Sequence, residues 1–172
     1  MSTKTLLSME AFLCMPDMPG KQELLKGELI SLPPAKRSHM EISKRLVDLF
    51  RPALDDARVW FETGYQLHGQ MLQPDVSVNW PDQRVEDDWF QGAPMIAVEV
   101  ASRGNTAEEI EGKVAAYLEE GAAEVWVIYP KTRSMTVSSS ARVMRVTGAY
   151  RCDLLTLQVD VPKLLLPDQR TH

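Results

Sequence analysis

Two acids set in apolar strands and one amine on a helix carry the chemistry this sequence offers. Asp75 lies in Pro74-Asp75-Val76-Ser77-Val78, and Glu99 lies in Met95-Ile96-Ala97-Val98-Glu99-Val100-Ala101. Side chains alternate faces along a strand. Asp75 therefore shares a face with Ser77 and Asn79, and Glu99 shares one with Ala97 and Ala101. The bulky residues Val76, Val78, Ile96, Val98 and Val100 take the opposite faces. Small or polar neighbours leave room above each carboxylate for a ligand. An unpaired carboxylate in an apolar sheet costs on the order of several kcal/mol and calls for a counter-charge. Mg²⁺ or Mn²⁺ answers that need, because these ions prefer hard oxygen donors, often a few carboxylates plus water. Such an ion polarises a phosphate oxygen and lowers the pKa of a bound water. An amine beside it stabilises developing charge or helps to position the water nucleophile. Lys113 is the candidate amine.

Glu28 follows Gly27 and is a third carboxylate that could reach the same cleft. His39, in the first turn of a helix, could contact a phosphate or orient a carboxylate, and Arg103, Arg37 and Lys36 offer phosphate contacts. Each residue also has a plainer reading. Asp75 fits a turn after Pro74, Glu99 a core acid with an ion-pair partner, and Lys113 a solvated helix lysine. Glu28 fits an exposed hairpin position and His39 a surface or capping group. Other chemistries lack their residues. There is no G-x-x-x-x-G-K-[ST], G-x-G-x-x-G or G-x-S-x-G, and three scattered histidines make no HExxH site.

These residues need elements to hold them. Ser8–Met15 reads as a short helix capped by Ser8, ended by Pro16, Pro19 and Gly20. Glu23–Ile30 reads as a hairpin about Lys26-Gly27. Ser38–Leu54 is a helix with Ser38 and Glu41 at capping-box spacing, an apolar stripe of Ile42, Leu46, Leu49 and Phe50, and Pro52 near its end. Val59–Thr63 and Tyr65–Leu67 are strands, and the polar, acidic Pro81–Pro94 reads as a long loop. Thr106–Glu120 is the second long helix, with Thr106 and Glu109 as its capping box and Ile110, Val114, Tyr117 and Leu118 as its buried stripe. Lys113 falls at the edge of that stripe, with Glu109 one turn earlier as a possible partner. Glu124–Tyr129, Met135–Ser139, Arg142–Thr147 and Tyr150–Leu155 are strands, and the Leu-rich tail Val161–Pro167 packs down. The order predicts a mixed sheet flanked by helices, an α/β or α+β domain.

Size and charge narrow the partners. A chain of 172 residues, 44% hydrophobic and 25% charged, suits one globular domain spanning 1–172. No run is apolar enough to span a bilayer, and Met1–Pro16 does not read as a signal peptide. Cys14 and Cys152 lie far apart with no CxxC, and read as reduced thiols of a cytoplasmic protein. A net charge of −5 argues against binding nucleic acid by overall charge, yet allows a nuclease whose basic groups line one cleft.

The blocks, taken in order, resemble a known family. Glu23-Leu24-Leu25-Lys26-Gly27-Glu28-Leu29-Ile30 with Pro33-Pro34 and His39 looks like its N-terminal signature, and Pro74-Asp75-Val76-Ser77-Val78 looks like its PD strand. Val98-Glu99-Val100, Lys113 with Tyr117, Gly121, Val125-Trp126-Val127-Ile128 and Pro130 are similar to its later blocks. This is the Uma-type restriction endonuclease family of the PD-(D/E)XK superfamily, and the resemblance runs from about Ser8 to Pro167. It implies a restriction-endonuclease-like fold: a mixed central sheet flanked by helices, with an N-terminal and a C-terminal hairpin. It implies a Mg²⁺-dependent endonuclease acting on DNA, with Asp75 and Glu99 as metal ligands, Lys113 as the displaced superfamily lysine and Glu28 as the accessory carboxylate. Ala101 stands where the superfamily keeps its lysine. A homodimer is a further implication. Ser102-Arg103-Gly104, Tyr129 and Glu109 depart from the family pattern, which opens the alternative of an inactive module that binds nucleic acid or a protein partner.

Overall fold

The computed structural model describes residues 6–16, 18–55 and 58–166. Helix α1 (Met9–Leu13) starts where the Ser8 hydroxyl accepts the Ala11 N–H at 3.1 Å. Strands β1 (Lys21–Leu25) and β2 (Glu28–Leu32) form the first hairpin. Lys26 and Gly27 turn it with positive φ at both positions, the turn that matches strand twist. Helix α2 (Arg37–Phe50) follows, and Pro52 sits in a 3₁₀ turn, Arg51–Ala53, where the α-helix ends. Next come β3 (Val59–Phe61), β4 (Tyr65–Leu67), β5 (Gln70–Leu72), β6 (Val76–Val78), β7 (Val85–Glu86), β8 (Trp89–Gln91) and β9 (Ile96–Val100). Helix α3 (Ala107–Glu119) leads to β10 (Glu124–Tyr129), β11 (Ser134–Ser138) and β12 (Val143–Val146). The hairpin β13 (Ala149–Cys152) and β14 (Leu157–Asp160) and a short α4 (Val161–Leu164) close the described chain.

Two mixed sheets pack together. One runs β2-β1-β5-β4-β8-β7, the other β12-β11-β10-β9-β6-β3. In the second sheet β9 and β10 are parallel with α3 as their crossover, and β6 pairs antiparallel with β9. The bulky face of β6 and β9 packs with Leu46 and Phe50 of α2 and with the C-terminal hairpin. Its small-residue face packs with the first sheet and α3, through Ala97, Val125, Tyr65 and Tyr117. Glu124 ties the hairpin down by accepting from Tyr150 Oη at 2.6 Å and Trp126 Nε1 at 2.7 Å.

Tyr65 joins the two sheets. It is fully buried, stacks on Phe90 and turns its hydroxyl between Ser77 Oγ and Asn79 Oδ1 of the facing sheet. Tyr65→Phe strands those buried partners without a hydrogen bond. The expected loss is about 1–3 kcal/mol, read as a lower midpoint in urea unfolding.

Several expectations need correcting. The capping box at Ser38 and Glu41 does not form: α2 begins at Arg37 with Lys36 as its uncapped N-cap, and Glu41 instead accepts from Arg37 Nε at 2.7 Å. The stretch Pro81–Pro94 is not wholly loop. Asp87 and Asp88 both take positive φ, which aspartate tolerates, and they turn β7 into β8. Strands β5 and β14 add to those expected. Of the stripe assigned to α3, Tyr117 is buried while Ile110, Val114 and Leu118 are half-buried; the fully covered positions are Lys113, Ala116 and Tyr117. The end of the tail, Pro167, lies outside the described residues. Among the described residues, Cys14 is exposed and Cys152 buried, both as free thiols, and no helix is long and apolar enough to cross a membrane.

Candidate active site

The pairing of β6 with β9 sets the two central acids. The register runs Val78↔Ile96, Ser77↔Ala97, Val76↔Val98. One step further along, Asp75 stands opposite Glu99, on the face that carries Ser77 and Ala97. Directly opposite residues on neighbouring strands share a face and touch, so the alternation read from sequence delivers both carboxylates to one place. Asp75 Oδ2 is fixed by the Val100 N–H at 2.6 Å. That leaves Oδ1, which meets Lys21 Nζ and His39 Nε2, each at 3.2 Å.

Lys113 reaches the same place from α3. Thr106 and Glu109 form the expected capping box, with bonds of 3.1 Å and 2.9 Å, worth about 1 kcal/mol to the helix start. Glu109 is thereby committed to the cap and is not the partner of Lys113. The lysine is 1% exposed and lies on the inward face with Ala116 and Tyr117. Gly112 permits the helix to approach: a Cβ there would lie 3.0 Å from Leu25 Cδ2 of β1. Lys113 Nζ stands 3.3 Å and 3.2 Å from the two Glu99 oxygens, and Tyr117 Oη donates to Glu99 Oε1 at 3.1 Å.

The third carboxylate that the structure brings to the cluster is Glu23, and Glu28 stands apart from it. Glu23 is fully buried, and its Oε2 lies 2.5 Å from Lys113 Nζ while Oε1 accepts the Gln73 N–H at 2.8 Å. The contact with Lys113 lies off the hydrogen-bonding direction, so among the described residues Glu23 Oε2 accepts no hydrogen bond and relies on the ion pair alone. Glu28 stands opposite Leu25 at the turn end of the hairpin and is exposed, whereas Glu23 lies further from that turn, opposite Ile30. Sequence reasoning also passed over Lys21. The signal was present: Lys21, Glu23 and Leu25 alternate on one strand, so an acid and a base share the face of a leucine that must be buried. Arg103 is exposed on the turn from β9 to α3, where the Asn105 side chain accepts from Ser102 N and Oγ at 3.0 Å and 2.8 Å.

Lys21 is the centre of the cluster. Its ammonium lies 3.2 Å from Asp75 Oδ1, 3.7 Å from Glu23 Oε1 and 3.9 Å from Glu99 Oε2. Burial would pull this amine down, but the charges of Glu99, Glu23 and Asp75 reverse that and hold it well above the usual lysine range. Burial would likewise raise Asp75; Lys21 and His39, with the Val100 N–H, outweigh it and hold the carboxyl well below the usual carboxylate range. Glu99 goes the other way. Burial pushes it up, Lys113 and Lys21 offset only part, and Asp75 and Glu23 push it further. Burial beside Glu99 also raises the Tyr117 phenol, so it remains a donor.

The expected open space above the acids is therefore filled. The first sheet, α3 and the two lysines cover them, leaving Asp75 and Glu99 buried. Two surface depressions lie elsewhere, one bounded by Val47, Arg51, Val59, Trp60 and Phe61 and one along the β12–β13 connection. Among the described residues, no three His, Cys, Asp or Glu side chains stand ready as a ligand cage. The donor set nonetheless fits a hard divalent ion. Two carboxylates converge on one cationic position, an oxygen of the buried Glu23 lacks a hydrogen bond nearby, and Mg²⁺ takes one or two carboxylates plus waters rather than a full protein cage.

The architecture has a solved counterpart. The crystal structure of a putative nuclease belonging to DUF820 from Anabaena variabilis ATCC 29413 superposes with a TM-score of 0.84, at 18% identity, over 92% of this chain and 97% of that one. That likeness establishes the restriction-endonuclease-like fold. No curated protein matches the chain. The sequence profile of Uma2, described as "Putative restriction endonuclease", matches residues 9–159, and the chain belongs to that family.

Proposed function

We propose that this protein is a divalent-metal-dependent endonuclease that hydrolyses phosphodiester bonds of DNA. The observation that carries the reading is the convergence of Asp75 and Glu99 from adjacent strands, with the buried Lys113 held against Glu99. Asp75 Oδ1 and Glu99 would hold Mg²⁺ or Mn²⁺. When bound, that ion supplies Lewis-acid polarisation of a phosphate oxygen and acidification of a water.

The chain's own residues supply the rest. Lys113 keeps a fixed positive charge beside Glu99, where charge developing on a phosphoryl group is best stabilised by a group that need not reorganise. Tyr117 holds the Glu99 carboxylate in orientation through its hydroxyl. Glu23 anchors Lys113 from the opposite side. His39 Nε2 fixes Asp75 Oδ1 from the rim and stands with Lys21 where an incoming phosphate would arrive. Arg103 offers an exposed phosphate contact, and two copies of the chain would bring two such centres to a duplex.

The test is cleavage of plasmid DNA with Mg²⁺ or Mn²⁺. Asp75→Asn is expected to abolish it, a loss of about a hundredfold or more. A wild-type protein that cuts neither DNA nor RNA with either ion overturns the reading. It would favour the second reading, a binding module in which Lys21 is a permanent counter-ion, supported by the ammonium already standing among the carboxylates.

A further inference from the structure

The two lysines of the site differ in one respect. Lys113 is sealed, with 1% of its side chain exposed and carboxylates on two sides. Lys21 reaches the same acids from the rim with 13% exposed, on a flexible stem at the very start of β1. Only Lys21 can withdraw without opening the core.

Its position matters as much as its mobility. The Lys21 ammonium faces Asp75 Oδ1, Glu23 Oε1 and Glu99 Oε2 at once, at 3.2, 3.7 and 3.9 Å. These are the oxygens that a hard cation would need. An ammonium makes at most three directed bonds and carries one charge, so it is a monovalent stand-in for a divalent ion.

Charge counting gives the direction of exchange. With His39 counted as a neutral imidazole, three carboxylates of the cluster face two ammoniums among the described residues, an excess of one negative charge. Adding a divalent ion while Lys21 stays makes the centre positive by one. Exchanging Lys21 for the divalent ion makes it neutral. A desolvated site favours the neutral arrangement.

From this we propose that Lys21 is a built-in competitor for the metal: its ammonium fills the cation position in the metal-free protein and must swing out before a divalent ion binds. This rests on the reading of Asp75 and Glu99 as metal ligands. The consequence is a protein held together without metal, at the expense of its affinity for it. Binding is then an exchange of cations rather than the filling of a vacant cage.

The test is calorimetric titration of the full chain with Mn²⁺ in the absence of nucleic acid. Lys21→Met is expected to bind Mn²⁺ about tenfold or more tightly than wild type. Lys21→Arg, which keeps the charge, is expected to stay within about threefold of wild type. The Lys21→Met protein should also melt lower than wild type without metal and gain more in melting temperature from Mn²⁺. Should Lys21→Met prove unfolded, Lys21→Gln carries the same expectation with a polar stem end. Equal or weaker Mn²⁺ binding by the neutral variants overturns the exchange while the metal reading stands. Absence of binding in wild type and in every folded Lys21 variant overturns both.

Discussion

Lys113→Met is expected to destabilise the protein by about 3–5 kcal/mol, the range for removing one partner of a buried ion pair. Methionine fills most of the volume, so the loss is electrostatic rather than a cavity. Glu23 sits 2.5 Å from the lysine and is fully buried, and Glu99 sits 3.2 Å away. Without the lysine, the cation these two acids retain among the described residues is the more distant Lys21, at 3.7 and 3.9 Å. The sign with pH follows. Lys113 holds the Glu99 carboxyl down, so its removal raises that group further, and the variant takes up a proton more readily when folded. The deficit is therefore largest at neutral pH and shrinks on acidification. Urea unfolding at about pH 7 and about pH 5 measures it. A deficit of equal size at both would show that packing, not charge, was lost. Cleavage should fall by about 10²–10³ in the same variant, through loss of a preorganised charge.

Glu99→Gln separates stability from activity. Burial and the neighbouring acids already push Glu99 up, because three carboxylates share two ammoniums. A carboxyl raised in the folded state takes stability away as pH rises from its ordinary value through its folded one. Glutamine carries no such charge, and it leaves two acids against two amines. The variant should therefore match wild type in stability at acid pH and exceed it above the ordinary glutamate range. Asp75 behaves oppositely. Lowered by Lys21 and His39 against the pull of burial, it adds stability above the ordinary aspartate range, and that is lost as pH falls through its depressed value. Cleavage by Glu99→Gln should drop about a hundredfold or more, since an amide is a poor ligand for a hard cation. A variant both less stable at neutral pH and fully active would contradict the assignment on both counts.

The central acids were legible in the sequence for a simple reason. Strand alternation has a period of two, and an acid surrounded by valines on such a strand declares its face at once. Lys113 was legible by helical period, although its burial was not: its partner Glu23 comes from a strand some ninety residues away, beyond any local pattern. Glu28 was read as the accessory carboxylate while Glu23 went unconsidered, for the same reason. Both lie on one face of the hairpin, and distance from the turn separates them: Glu28 stands opposite Leu25 at the turn end and is exposed, whereas Glu23 stands further in, opposite Ile30, and is covered. Arg37 took the Glu41 carboxylate that spacing had assigned to Ser38, a competition between equal local options. The hairpin at Asp87-Asp88 hid behind its charge, because two acids in a polar run look like loop until their left-handed backbone is seen. Empty space above Asp75 and Glu99 was inferred from their small neighbours, but small residues there admit the first sheet and the Tyr65 ring.

The acids and amines come from both sheets: Lys21 and Glu23 from the first hairpin, Asp75 and Glu99 from the other layer, Lys113 from the crossover helix. Contacts between such distant stretches form late, after the chain has given up most of its freedom. A half-folded or nicked copy thus owns acids but no assembled centre. The cluster of acids and amines is therefore a certificate of completed folding, issued only when both layers have closed.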